Sequence, residues 1–310
     1  MAEGAESYVA LLSLTMSIQV FRNIKEAIGN LNPDEILRHT ERPLRLFLYA
    51  HTDSAYYQME KFLAPPQLSP LKRASVEPRI LRASEGFSPT GPNDLEIYSE
   101  DSPADSLVAP KDVFAFRPHE PTRVINDVLA RRPDLAIPLA MHFLPFREEV
   151  SRRIIKKVAK QNAWFALASA VPDIIPLVSI PWAVGEFASD TAVLTANQIR
   201  MAFLLAAAGD RDFGYRQQRA EITSIALGAL GWRSLARELV GKIPLGGGLI
   251  PKAAIAYAGT RVVGLSLERF YRTGAAYTRQ ERRDAYEDAL EHGRKIAATL
   301  LNGVRQKIAG

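Results

Sequence analysis

His51-Thr52-Asp53-Ser54 stands where a nucleotide phosphate would be held, after an apolar run and ahead of a helical one. Backbone N–H groups at a helix N-terminus attract anions there. A working phosphate loop also needs G-x-x-x-x-G-K-[ST], with glycines for close backbone approach and a lysine for the phosphates. This tetrapeptide has neither, and Asp53 would repel the ligand. The segment His142-Phe143-Leu144-Pro145 likewise lacks the Asn-Lys-x-Asp pattern that reads guanine. Gly246, Gly247 and Gly248 precede Lys252, but no Ser or Thr follows that lysine and no strand precedes the glycines. They read as a turn between helices, with Pro251 at the first helical position. The five histidines, His39, His51, His119, His142 and His292, are scattered without metal-ligand spacing. His119-Glu120 runs into Pro121 and has no partner histidine, and Ser54 and Ser179 lack a glycine-flanked elbow. No catalytic residue, cofactor ligand or metal set is expected.

The elements that carry these residues fall into two halves of opposite charge. Residues 1–150 hold 16 Lys and Arg against 21 Asp and Glu, a net of −5, and residues 151–310 hold 23 against 13, a net of +10. A basic half suits an anionic surface such as lipid headgroups. Nucleic acid is not expected as a partner, because no aromatic-interleaved basic run is present. The chain has no cysteine, so disulfides, thiolate metal sites and cysteine nucleophiles are excluded, and a reducing compartment fits. Its 310 residues suffice for two domains.

Residues 1–32 predict an amphipathic helix with Val9, Leu12, Met16, Val20, Ile24 and Ile28 on one stripe, ending near Gly29 and Pro33. Its uncharged run, Ser7 to Phe21, is 15 residues long, short of the roughly 20 a membrane span requires. Residues 33–160 predict an α/β domain with a small, mainly parallel sheet, arranged like a degenerate P-loop domain. Expected strands are Leu44–Ala50, Leu95–Ser99, Val113–Phe116 and Leu135–His142. Expected helices are Thr52–Leu63, Thr122–Arg132 and a basic one over Phe146–Lys160, and the Pro- and Ser-rich stretch 64–93 reads as a loop.

Residues 161–310 predict an all-α domain of helical hairpins or a bundle, rich in Ala and Gly, with helices near 162–171, 180–208, 216–242, 251–273 and 278–308. Small residues let helix backbones approach closely. Arg200, Glu221, Arg233, Arg237, Glu238 and Arg261 stand alone on these apolar helices, and several are expected to pair between helices. On the last helix Ala289, Ile296, Leu300, Val304 and Ile308 make a thin stripe that would lie on the bundle or on another chain.

A run of short motifs carries a resemblance. Val171-Pro172-Asp173-Ile174-Ile175-Pro176 is followed by Gln198-Ile199-Arg200-Met201, then Ile243-Pro244-Leu245-Gly246-Gly247, Ala258-Gly259-Thr260, Val263-Gly264, Tyr271 and Gly274. Over about 160–275 this order resembles a bacterial helical domain of unknown function found beside Era- and Ras-like GTPases and in YcjF-like inner-membrane proteins. Asp173 departs from that family's proline turn, and Ala258–Arg261 is more polar than its counterpart. The resemblance implies membrane association and, as in many members, a fused GTPase; the element order of residues 33–160 fits what remains of such a domain once its nucleotide-binding residues are lost.

Together these features predict a non-enzymatic, cytoplasmic protein at the inner face of the cell membrane. It would contact an anionic membrane surface and dock a GTPase or another protein. The alternatives are a divergent nucleotide-dependent switch with its site near His51–Ser54, and a soluble scaffold that self-associates through its last helix.

Overall fold

A computed structural model describes residues 22–29, 31–84, 91–100, 113–169, 190–228 and 249–309. The chain divides into an α/β unit, Asp34–Arg153 with Ala206–Asp212, and a helical unit, Met1–Pro33 with Ile154–Leu205 and Phe213–Gly310. The apolar run Leu44–Ala50 yields strand β1, Arg45–Tyr49, in which every residue but the first is buried. It is flanked by β2 (Ile80–Arg82) and β3 (Asp94–Ser99), and β4 (Val113–Phe116) lies outside β3. The order is β2-β1-β3-β4 and every pairing is parallel. Parallel strands covered on both faces read as near-continuous apolar runs, which is why β1 and β4 are visible in the sequence.

Register places Leu46 beside Leu95 and Leu48 beside Ile97 beside Phe114 on one face of the sheet. Helix α2 (Asp53–Leu63), which follows α1 (Pro33–Thr40), brings Phe62 against Phe116 with ring centroids 5.2 Å apart. The other face carries Arg45, which grips Asp94 through two hydrogen bonds of 2.9 and 2.7 Å, and Tyr49 stacked on Tyr98 at 4.2 Å.

Two expected elements of this unit differ. Residues 64–93, read as a loop, contain helix α3 (Pro70–Val76) and β2. Ser69 caps α3 and Pro70 opens it, so a proline inside the stretch read as a loop starts a helix. Strand β2 is three residues long, and its pairing with Leu46–Leu48 makes it a strand. The strand expected at Leu135–His142 is instead helix α5 (Ala136–His142), after α4 (Pro121–Arg131). Leu135, Leu139 and Phe143 are fully buried at four-residue intervals. Periodicity does not separate a strand from a helix in so short an apolar run.

Helix α6 runs unbroken from Leu144 to Ala168, so the expected basic helix and the one near 162–171 are a single element. The boundary between units falls at Arg153–Ile154, inside it. The helical unit continues with α7 (Asp190–Ala208), a helical segment at 219–228, α8 (Leu249–Thr273) and α9 (Arg279–Ala309). Residues 22–29 are helical and belong to this unit, with Ile24 and Ala27 buried. The Tyr215 hydroxyl lies 2.6 Å from the carbonyl oxygens of Ile28 and Leu31, pinning that segment. Along α8 and α9, Ala253, Tyr257 and Ala297 pack with Ala159, Ala163 and Leu167 of α6. Ala258 and Val262 pack with Tyr286 and Ala289. The stripe on α9 is therefore covered from within the chain at Ala289, Ile296 and Leu300, while the side chains of Val304 and Ile308 lie outside the described residues.

Candidate functional site

In an open parallel sheet, ligands settle at the carboxyl ends of the strands where the chain leaves in opposite directions. From β1 the chain crosses to β2 on one side, and from β3 it crosses to β4 on the other. A crevice of about 340 Å³ opens at that point. After β1, Thr52, Ser54, Ala55 and Gln58 line it, Ser99 and Glu100 line it after β3, and Phe116 and Pro118 line it from β4. Ser54 and Gln58 lie four residues apart on α2, on one helical face.

Glu100 is the acid of the crevice. Its carboxylate lies 2.9 Å from His119 Nε2 and 3.7 Å from Arg117 Nε, both on the segment leaving β4. At the start of α2, Asp53 is met by Arg82 at 2.6 Å, and that guanidinium also lies over the Tyr56 ring. Each carboxylate thus has an arginine beside it. Next to the crevice, on the other face of the sheet, the Tyr98 hydroxyl donates to Glu96 at 3.0 Å. Burial first, and Glu96 second, push Tyr98 up to about 12 and Tyr49 higher still, so both phenols stay protonated.

The His51–Ser54 loop is therefore at the crevice, but its chemistry is that of a helix cap. The Thr52 side chain accepts from Ala55 N–H at 3.1 Å, so one donor that would bind an anion is already used. The sequence alone singled out Thr52 and Ser54, weighed His119 only as a metal ligand, and missed Gln58, Glu100 and Arg117. The signal for Glu100 was present: it directly follows a strand that the sequence does locate.

The motif residues of the helical half fall into two groups. Pro172, Asp173, Pro176, Pro244, Gly246 and Gly247 lie outside the described residues, as do Arg233, Arg237 and Glu238. Gln198, Met201, Thr260 and Gly264 come together where α6, α7 and α8 meet. Gln198 Nε2 donates to Thr260 Oγ1 at 3.2 Å, and Asn162 Nδ2 donates to the same oxygen at 2.8 Å. Asn162 Nδ2 also donates to the Leu194 carbonyl, and its Oδ1 accepts from Asn197 at 2.7 Å. A methyl group at Gly264 would come within 2.8 Å of Ile155 and 3.0 Å of Met201 Sδ. These residues hold helices together and present no open polar surface. Arg261 donates to Tyr257 one turn back on its own helix, and no ion pair to another helix involves Arg200, Glu221 or Arg261 among the described residues.

Helix α6 presents a second surface. Its inward residues include Ile155, Val158, Ala159, Asn162 and Ala163. Outward, Arg152, Lys156, Lys157 and Lys160 are exposed, with no acidic residue between Ser151 and Ala168. Arg152 and Arg153 both reach Glu149, whereas Lys156, Lys157 and Lys160 have no carboxylate partner among the described residues. Helix α7 is long and apolar enough to cross a membrane, and 78% of its window Thr191–Ala208 is buried inside the protein.

Among known proteins, no family model, no curated sequence and no solved structure matches this chain.

Proposed function

We propose that the chain is a non-enzymatic docking protein whose basic helical unit rests on an anionic membrane surface, with the acidic α/β unit offered to a protein partner such as a GTPase. The observation that carries this reading is the single-sign stripe on α6, where three lysines face solvent without acidic partners among the described residues. Each lysine near an anionic leaflet contributes about 1 kcal/mol, so three give roughly 100-fold in binding. The net +10 of residues 151–310 adds a long-range attraction of the same sign. The contact is peripheral in this reading, since α7 buries its apolar surface within the protein.

Co-sedimentation with vesicles tests it. Phosphatidylserine-containing vesicles should retain the protein at low salt and release it as salt rises, and pure phosphatidylcholine vesicles should not retain it. The triple variant Lys156→Gln, Lys157→Gln, Lys160→Gln should weaken retention by at least about tenfold. Equal retention on both vesicle types, or retention untouched by the triple variant, rejects the stripe as the contact.

A further inference from the structure

We propose that the crevice at the carboxyl ends of β1, β3 and β4 binds an uncharged, hydroxyl-rich ligand of monosaccharide size. The polar side chains that line it are of the alcohol-binding kind: the Glu100 carboxylate, the Gln58 amide and the hydroxyls of Thr52, Ser54 and Ser99. A carboxylate accepts from two neighbouring hydroxyls at once, as an acidic residue does on the ribose of a dinucleotide. Pro118 is exposed and gives a small apolar patch that suits the C–H face of a sugar ring, whereas Phe116 is 4% exposed and packs on Phe62. The volume, about 340 Å³, is at the lower end for ligand sites.

Charge argues against a phosphorylated or ionic ligand. Glu100 is met by Arg117 and the His119 ring, and Asp53 by Arg82, so among the described residues no arginine beside the crevice lacks a carboxylate. The N-terminus of α2, the remaining attraction for an anion, is capped by Thr52. His119 Nε2, at 2.9 Å, fixes one Glu100 oxygen and leaves the carboxylate to accept along its other lone pairs. The stripe on α6 shares no residue with the crevice, so failure of vesicle binding leaves this inference standing.

Calorimetric titration of the full chain with glucose, galactose, ribose and myo-inositol, beside glucose 6-phosphate and adenosine, decides it. At least one neutral sugar or polyol should bind with Kd of about 1 mM, as expected of so few heavy atoms. Glu100→Gln should weaken that binding about tenfold, and Gln58→Ala and Ser54→Ala several-fold each. All three side chains are exposed, and an unchanged circular dichroism spectrum confirms the fold. Absence of saturation by every sugar up to about 50 mM overturns the proposal. So does tighter binding of glucose 6-phosphate than glucose, tighter binding of adenosine than of every sugar, or sugar affinity indifferent to all three substitutions.

Discussion

His142 is 7% exposed, and its Nδ1 has no hydrogen-bond partner among the described residues. Burial, then the charges of Arg79 and Lys72, lower its pKa from 6.5 to about 4, against a smaller opposing pull from Asp210. The fold thus favours the neutral ring. Stability from this residue is fully present above about pH 6.5 and is lost as pH falls towards 4. The depressed carboxylates act lower: Glu281, held by Arg269 and the Thr278 cap, goes from 4.5 to about 2, so its contribution fades only below about pH 4.5. Urea midpoints between pH 7 and pH 4.5 should therefore fall in the wild type and fall less in His142→Gln. Parallel curves for the two proteins would show that the ring is not the group responsible.

At the scale of elements, α8 and α9 are joined by Gly274 in the left-handed region, φ 80°, and by a capping box. Thr278 Oγ1 accepts from Glu281 N–H at 3.2 Å, and Glu281 Oε2 accepts from Thr278 N–H at 2.8 Å. Glu281 reaches Arg269 on α8 as well, so one side chain starts a helix and ties it to its neighbour. Farther along, a methyl group at Gly293 would lie 2.8 Å from the Ala254 carbonyl oxygen, a backbone atom that moves only with α8. Gly293→Ala should cost about 1–3 kcal/mol in thermal unfolding despite its gain in helix propensity. A neutral or stabilising result would mean that the two helices separate at little cost. Across α6, α7 and α8, Asn162→Ala should cost about 2–3 kcal/mol, because Asn197 and Thr260 each lose a buried partner. The double variant Asn162→Ala, Thr260→Ala should cost less than the sum of the singles.

For the molecule as a whole, the short segment Ala206–Asp212, which is the end of α7 and the residues just after it, serves the α/β unit. Asp210 sits there at φ 57° and binds Lys72 of α3 at 2.7 Å, while Lys72 also donates to the Met141 carbonyl at the end of α5. Asp210→Asn keeps a residue that tolerates this backbone conformation and removes only the charge. It should lower stability by about 1–2 kcal/mol by chemical denaturation, since the partner lysine side chain is 15% exposed. No loss would make the pair incidental.

Sequence alone located an α/β region and a helical region, β1, β3, β4 and the helices expected over 251–273 and 278–308, because each rests on a local pattern: a run of apolar residues, a 3.6-residue stripe or a proline stop; it divided α6 in two. Thr52 was legible as a helix start for the same reason. Strand β2 was not, since three residues become a strand only by pairing with β1, and Leu135–His142 reads equally as strand or helix because the apolar run is too short for its period to decide. The crevice needed the order β2-β1-β3-β4, which sets Thr52, Glu100 and Phe116 side by side from positions 64 residues apart in the chain. Gln198 with Thr260, and Met201 with Gly264, were marked by the sequence as a motif. Only packing showed that they touch, because contact between helices depends on which faces meet, and no local spacing encodes that.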